Sequence, residues 1–199
     1  MTIEQSNFLA LWKRAANIKR WPLQTNLTEN NDATHSFEVA VIAHLLGTIE
    51  KDVFNLDTDP DKLAAMAIFH EASEVAGLGD INSNAKNMSA EVHASIKQIE
   101  KMFELKMLDG LPPELKPRYE TLIIQPKDTR DAKLVKVADD IACYLEAEKE
   151  YKLGNFEYRD AVSHCRVKLN QWRDEFDSVD WFLTRFMSEV NQTIDHTLG

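Results

Sequence analysis

Apolar residues recur at spacings of three and four along most of this chain, and no segment alternates convincingly at the period of two expected of a half-buried strand. The pattern restricts the chain to an all-α fold. Phe8, Leu9, Leu11, Trp12 and Ala15 predict a first amphipathic helix ending near Lys19, where Trp21-Pro22 breaks it. The polar residues 25–34 read as loop. His35, Val39, Ile42 and Leu46 then follow one another at four, three and four, which puts His35 on a buried helical stripe.

Asp57-Thr58-Asp59-Pro60 signals the next helix start, with Leu63, Ala67 and His70 along its inward face. Residues 76–88 are rich in glycine and asparagine and read as a loop, the kind of segment that carries function on a rigid scaffold. Ser89 is placed to cap a helix over 90–108 whose apolar seam is Ile96, Ile99, Phe103 and Met107. A short helix over 114–122 follows Gly110-Leu111-Pro112-Pro113. Asp128 or Thr129 then opens a helix containing Leu134, Val137, Ile141 and Leu145, with Asp139 in its middle. Helices near 156–172 and 181–196 complete the chain. At 199 residues, a single compact helical bundle spanning 1–199 is expected.

The composition, 44% hydrophobic and 28% charged, is that of a soluble globular protein. No apolar run approaches the roughly 20 residues that span a bilayer, and the first twenty residues lack the basic-then-apolar order of a signal peptide. A cytoplasmic protein without a membrane partner is therefore expected. A net charge of -10 disfavours a nucleic-acid polymer as partner. Cys143 and Cys165 lack metal-type spacing and read as buried thiols rather than a disulfide.

Four dispersed residues stand out: His35, the pair His70-Glu71, and Asp139. Two imidazoles and two carboxylates suit manganese, cobalt, zinc or iron(II) better than calcium, whose ligands are all oxygen. Taken singly, each residue has an ordinary reading. His35 on an apolar face fits a hydrogen-bonded core histidine, and Asp139 has a competing partner in Lys136 three residues earlier. His44, His93, His164 and His196 read as structural or surface residues.

The order of these residues resembles the HD-domain phosphohydrolases. The segments Thr28-Glu29-Asn30, His35-Ser36, 40–44, 70–75, Gly79-Asp80, Val135-Lys136, Ala138-Asp139 and Tyr144-Leu145 are similar to bacterial 5'-deoxynucleotidases of the YfbR type, and Arg20-Trp21-Pro22-Leu23 is the most family-specific stretch. The resemblance implies that His35, His70, Glu71 and Asp139 bind one metal ion, cobalt or manganese, with His35 and Asp139 also touching substrate. It implies that Glu74 acts as the acid/base beside the attacking water, that Arg20 and Trp21 contact the nucleotide, and that Asp80, Asn82 and Ser83 line the substrate pocket. A cytoplasmic homodimer that converts deoxynucleoside 5'-monophosphates to deoxynucleoside and phosphate is the corresponding expectation.

Three departures bear on this. His70-Glu71 stands where relatives carry His-Asp, so the carboxylate is one methylene longer; residues 81–86 stand where relatives carry a Pro-Thr-Pro turn before Lys86; and the loop before Asp80 is one residue longer. The alternatives are a related enzyme that releases triphosphate from a dATP-type substrate, and a degenerate nucleotide-binding module.

Overall fold

The computed structural model describes residues 5–188, 190, 192 and 194–198. They fold into helices without a β-strand, apart from one isolated antiparallel bridge between Lys19 and Asn31. The elements are α1 (Phe8–Trp12), α2 (Asp32–Thr48), α3 (Pro60–Ile68), α4 (Ser83–Lys86), α5 (Ala90–Asp109), α6 (Lys116–Ile123), α7 (Arg130–Lys152), α8 (Arg159–Glu175), α9 (Asp177–Phe186) and α10 (Ile194–Leu198). No helix among the described residues is long and apolar enough to cross a membrane.

Start signals set three of the long helices. Asp59, Ser89 and Thr129 each accept a backbone N–H of the first turn, from Lys62, Val92 and Ala132. Other boundaries differ from the sequence expectation. The first helix stops at Trp12 and tightens into a 3-10 turn at Lys13–Asn17. α2 starts inside the predicted polar loop, because Asn31 accepts from the amides of Ala33 and Thr34 while Thr34 returns its hydroxyl to the Asn31 N–H. The final predicted helix is two elements, α9 from Asp177 and α10. On α5, Ile99 is exposed and the inward place beside it belongs to Glu100.

Two apolar clusters organise the molecule. In the larger, α2 (Val39, Ala43, Leu46), α3 (Leu63, Met66, Ala67) and α7 (Leu134, Val137, Ile141) meet, with α8 and α9 packed behind. Close approach of α2 and α3 requires Gly47, where a Cβ would stand 2.9 Å from the Pro60 Cα. In the smaller, Ala72, Val75 and Ala76 pack against Met107, Leu108 and Ile123 under an aromatic group of Phe8, Trp12, Phe69 and Tyr119. The chain passes from one cluster to the other at Phe69–Glu71.

Glu50 shows how the C-terminal helices are tied on. Its carboxylate is fully buried and accepts from Arg130 (2.8 and 2.6 Å), Thr58 (2.9 Å) and Ser178 (2.8 Å), joining α2's end to α7 and α9. Burial raises its pKa, but the Arg130, Ser178 and Thr58 hydrogen bonds outweigh this and hold it below the usual glutamate value. Its stabilisation is therefore complete above the ordinary glutamate range and is lost as pH falls through the lowered folded-state value. Glu50→Ala leaves two buried hydroxyls without their acceptor and is expected to cost about 2–3 kcal/mol in urea unfolding, with a smaller difference from wild type in acid.

Candidate metal centre

α2 delivers His35 one turn beyond its cap, fully buried. Its Nδ1 lies 2.8 Å from Glu146 Oε1 and its Nε2 lies 3.0 Å from Asp139 Oδ1. α7 supplies Asp139, Cys143 and Glu146 at i, i+4 and i+7, one face of one helix. The other Asp139 oxygen accepts from Lys136 Nζ at 2.6 Å, so the competing partner is real but occupies only Oδ2.

His70 and Glu71 do not sit on a continuous helix as their spacing predicts. α3 ends at Ile68, and the Ala67 carbonyl, which would take the Glu71 amide, instead accepts the His70 ring Nδ1 at 2.6 Å. The chain kinks there, resumes through Ala72, and closes with the wide turn Glu74–Leu78, which Gly77 at φ 139° ends. The bond to Ala67 places a proton on Nδ1, so that in the neutral ring Nε2 can offer its lone pair to a metal ion. That Nε2 is buried with no hydrogen-bond partner among the described residues.

One donor atom from each of His35, His70, Glu71 and Asp139 lies within 4.8 Å of all the others. His70 Nε2 is 3.3 Å from Glu71 Oε1 and 3.9 Å from Asp139 Oδ1, and His35 Nε2 is 3.8 Å from Glu71 Oε1. Donors bonded at about 2.0–2.2 Å to one ion stand roughly 3–3.5 Å apart at neighbouring positions, close to the 3.0–3.9 Å separations seen here. The orphaned His70 Nε2 and the mixed nitrogen–oxygen donor set both fit such an ion. The longer Glu71 side chain reaches the cluster despite its extra methylene.

Around this cluster lies a ring of charge. Burial alone would lower the His35 pKa, but its bonds to Asp139 and Glu146 carry it up to about 9. Asp139 resists burial because Lys136, His35 and His70 hold it well below the usual carboxylate range. Glu71 is held low by His70 and Arg20 against the same penalty. Glu74 differs: burial, reinforced by Glu71, Asp80 and Asp32, pushes it up to about 9. Its Oε2 is buried without a hydrogen-bond partner among the described residues, and Oε1 faces Lys86 Nζ at 3.6 Å.

The expected substrate-side residues are distributed differently. Arg20 lies beneath the cluster, 7% exposed, donating to Glu71 Oε1 at 2.9 Å and toward Cys143 Sγ at 3.1 Å. Trp21, at φ 54°, donates its indole N–H to Glu146 Oε2 at 2.9 Å and packs edge-on against Tyr158. Asp80 is half-buried, its pKa raised by burial above all, and the nearby Trp21 backbone acts against that rise. Asn82 caps α4 through the Asn84 amide, and Ser83 is exposed. His44, half-exposed near Asp61, His93, His164 and His196 all lie outside the centre.

Three residues of the centre escaped the sequence reading. Glu146 orients His35, and its signal was the seven-residue spacing from Asp139. Cys143 is a free thiol one turn after Asp139, its pKa pushed up by burial. Asp32 is fully buried with both carboxylate oxygens unpartnered among the described residues, and burial with Glu71 nearby pushes it up to about 7. Glu146→Gln removes the charged partner that fixes the His35 ring and is expected to weaken metal affinity roughly 10–100-fold, measured by competition with a chelator.

Comparison with known proteins identifies relatives along the whole length of the fold. Residues 7–190 match the YfbR-like 5'-deoxynucleotidase family. A 5'-deoxynucleotidase of Erwinia tasmaniensis is 33% identical over 191 residues, 96% of this chain and 95% of that protein. One from Vibrio cholerae is 32% identical over 194 residues, 97% of this chain and 98% of the other. Among solved structures, an HD-domain phosphohydrolase from Listeria innocua superposes with a TM-score of 0.81 at 24% identity, covering 92% of this chain and 87% of that one.

Proposed function

This chain belongs to the YfbR-like 5'-deoxynucleotidases, and we propose that it hydrolyses deoxynucleoside 5'-monophosphates at one divalent ion held by His35, His70, Glu71 and Asp139. The observation that carries the reading is the convergence of these four donors around a buried, unpartnered His70 Nε2. When bound, the ion supplies Lewis-acid polarisation of the phosphoryl group and lowers the pKa of the attacking water. Cobalt or manganese is the assignment, and zinc or iron(II) shares the same donor chemistry.

In the reaction a water oxygen bonds to phosphorus, the bond from phosphorus to O5' breaks, and O5' leaves with a proton. Glu74 is the group in this chain placed to move that proton. It lies one turn beyond His70, buried at the edge of the donor cluster, with an oxygen that has no hydrogen-bond partner among the described residues. Burial holds this carboxyl protonated, ready to give its proton to the leaving oxygen, and the positive charge of a bound ion, which favours the ionised form, would let it take one from the water. Arg20 orients Glu71 from below and adds positive charge toward the phosphate. Trp21 and the nearby Asp80 form the nucleoside side of the site with Asn82 and Ser83, where Asp80 accepts from a sugar hydroxyl.

Charge supply favours a monophosphate over a triphosphate. Arg20 is committed to Glu71, and Lys136 to Asp139 and Asp140, so few cations remain for three phosphates. The working protein in this reading is a single-domain cytoplasmic homodimer that acts on free deoxynucleotides, as its family resemblance implies. Incubating the manganese- or cobalt-loaded protein separately with dAMP and dATP, and resolving phosphate from triphosphate, tests the substrate. Phosphate from dAMP is expected, whereas triphosphate from dATP with inert dAMP would overturn it.

A further inference from the structure

We propose that Lys86 contacts the substrate phosphate directly, alongside the positive charge of Arg20, and that buried Glu100 positions it. The inference rests on the phosphomonoester reading above. A phosphomonoester dianion approaching the centre meets Asp32, Glu71, Glu74, Asp80 and Asp139, so cations other than the ion must receive it.

The described cations near the centre are not equivalent. The Arg20 guanidinium is 2.9 Å from Glu71 and buried, and Lys136 Nζ is 2.6 Å from Asp139 and 2.9 Å from Asp140. Lys86 is different in both distance and access. Its Nζ hangs between Glu74 Oε1 at 3.6 Å and Glu100 Oε1 at 3.5 Å, with a quarter of the side chain exposed. Direct charge-assisted bonds are about 2.7–2.9 Å, so neither carboxylate holds the ammonium tightly, and its three donors can serve a third acceptor. That acceptor would lie beside Glu74, where the reacting phosphoryl group belongs.

Glu100 explains why the lysine stands there. It occupies an inward place on α5 that the seam would give to an apolar residue, and a carboxylate is buried only with partners. Lys97 Nζ at 2.5 Å and Lys127 Nζ at 3.8 Å bind one oxygen and Lys86 faces the other. α4, capped by Asn82 immediately beyond Asp80, sets the root of the lysine side chain. Burial opposes the ammonium, but Glu74 and Glu100 keep its pKa above the usual lysine value, so it remains charged at any working pH.

The competing reading is that Lys86 merely tethers α4 to α5. Phosphate binding separates the two. Titrating the manganese-loaded protein with inorganic phosphate by calorimetry, Lys86→Met is expected to weaken binding roughly tenfold or more at unchanged metal content, and Lys86→Arg to restore most of it. Glu100→Gln should give a smaller loss by leaving the lysine unsupported. kcat/KM for dAMP should fall in parallel with phosphate affinity. Unchanged phosphate affinity in Lys86→Met overturns the proposal, as does a loss that arginine does not restore or a wild-type protein that does not bind phosphate. The binding readout needs no substrate, so absence of dAMP turnover with the Lys86 effect intact would sink the substrate assignment alone.

Discussion

Replacing His70 by alanine, or Asp139 by asparagine, is expected to remove the bound ion and turnover together. The first change deletes one of four donors, a ring held by its Nδ1 bond to Ala67, and the second replaces a carboxylate ligand by a neutral, weakly ligating amide. Without the ion there is neither polarisation of the phosphoryl group nor an acidified water, so a loss of roughly 10³-fold or more in kcat/KM is expected. The asparagine change keeps the shape of residue 139 and the side chains around Lys136, which separates loss of a ligand from loss of the fold. Metal content by elemental analysis, read beside activity, checks the result. Full metal occupancy in either variant would remove that residue from the ligand set.

Glu74→Gln should do the opposite to the metal and nearly the same to the rate. Glutamine matches the buried shape, cannot carry a proton between water and the leaving oxygen, and leaves the four donors untouched. Metal content should stay at the wild-type level while kcat falls by about 10²–10⁴. The thermal midpoint at neutral pH should not fall, because burial among Glu71, Asp80 and Asp32 already keeps Glu74 uncharged, and glutamine is a neutral side chain of the same shape. A Glu74→Gln protein with wild-type kcat would leave the water without its proposed partner.

Much of this was legible in the sequence because it follows from local rules. Caps at Asp59, Ser89 and Thr129 and the stripe from His35 to Leu46 are set by residues within one or two turns of each other. Asp139 stands on nearly the opposite face of α7 from Leu134, Val137 and Ile141, and it meets His35 because α7 is buried on most of its circumference. The kink after Ile68 was not legible, because the apolar spacing runs through it unbroken while the Ala67 carbonyl there takes the His70 ring and backbone N–H instead of the Glu71 amide. Arg20 illustrates a second limit. The expectation that its guanidinium meets the nucleotide comes from family resemblance, whereas its bond to Glu71, fifty-one positions away, is set by the fold and has no local signal. Glu100 shows the same effect on α5, where lysines from elsewhere make an inward carboxylate tolerable and move Ile99 outward.

The central claim is that one divalent ion is shared by residues from α2, from the kink after α3, and from α7. A crystal grown with manganese and measured at a wavelength where manganese scatters anomalously tests it most directly. A single anomalous peak within bonding distance of His35 Nε2, His70 Nε2, Glu71 and Asp139 is the predicted result. A peak that omits Glu71 or lies elsewhere, or a fully loaded solution that gives no peak, would contradict it.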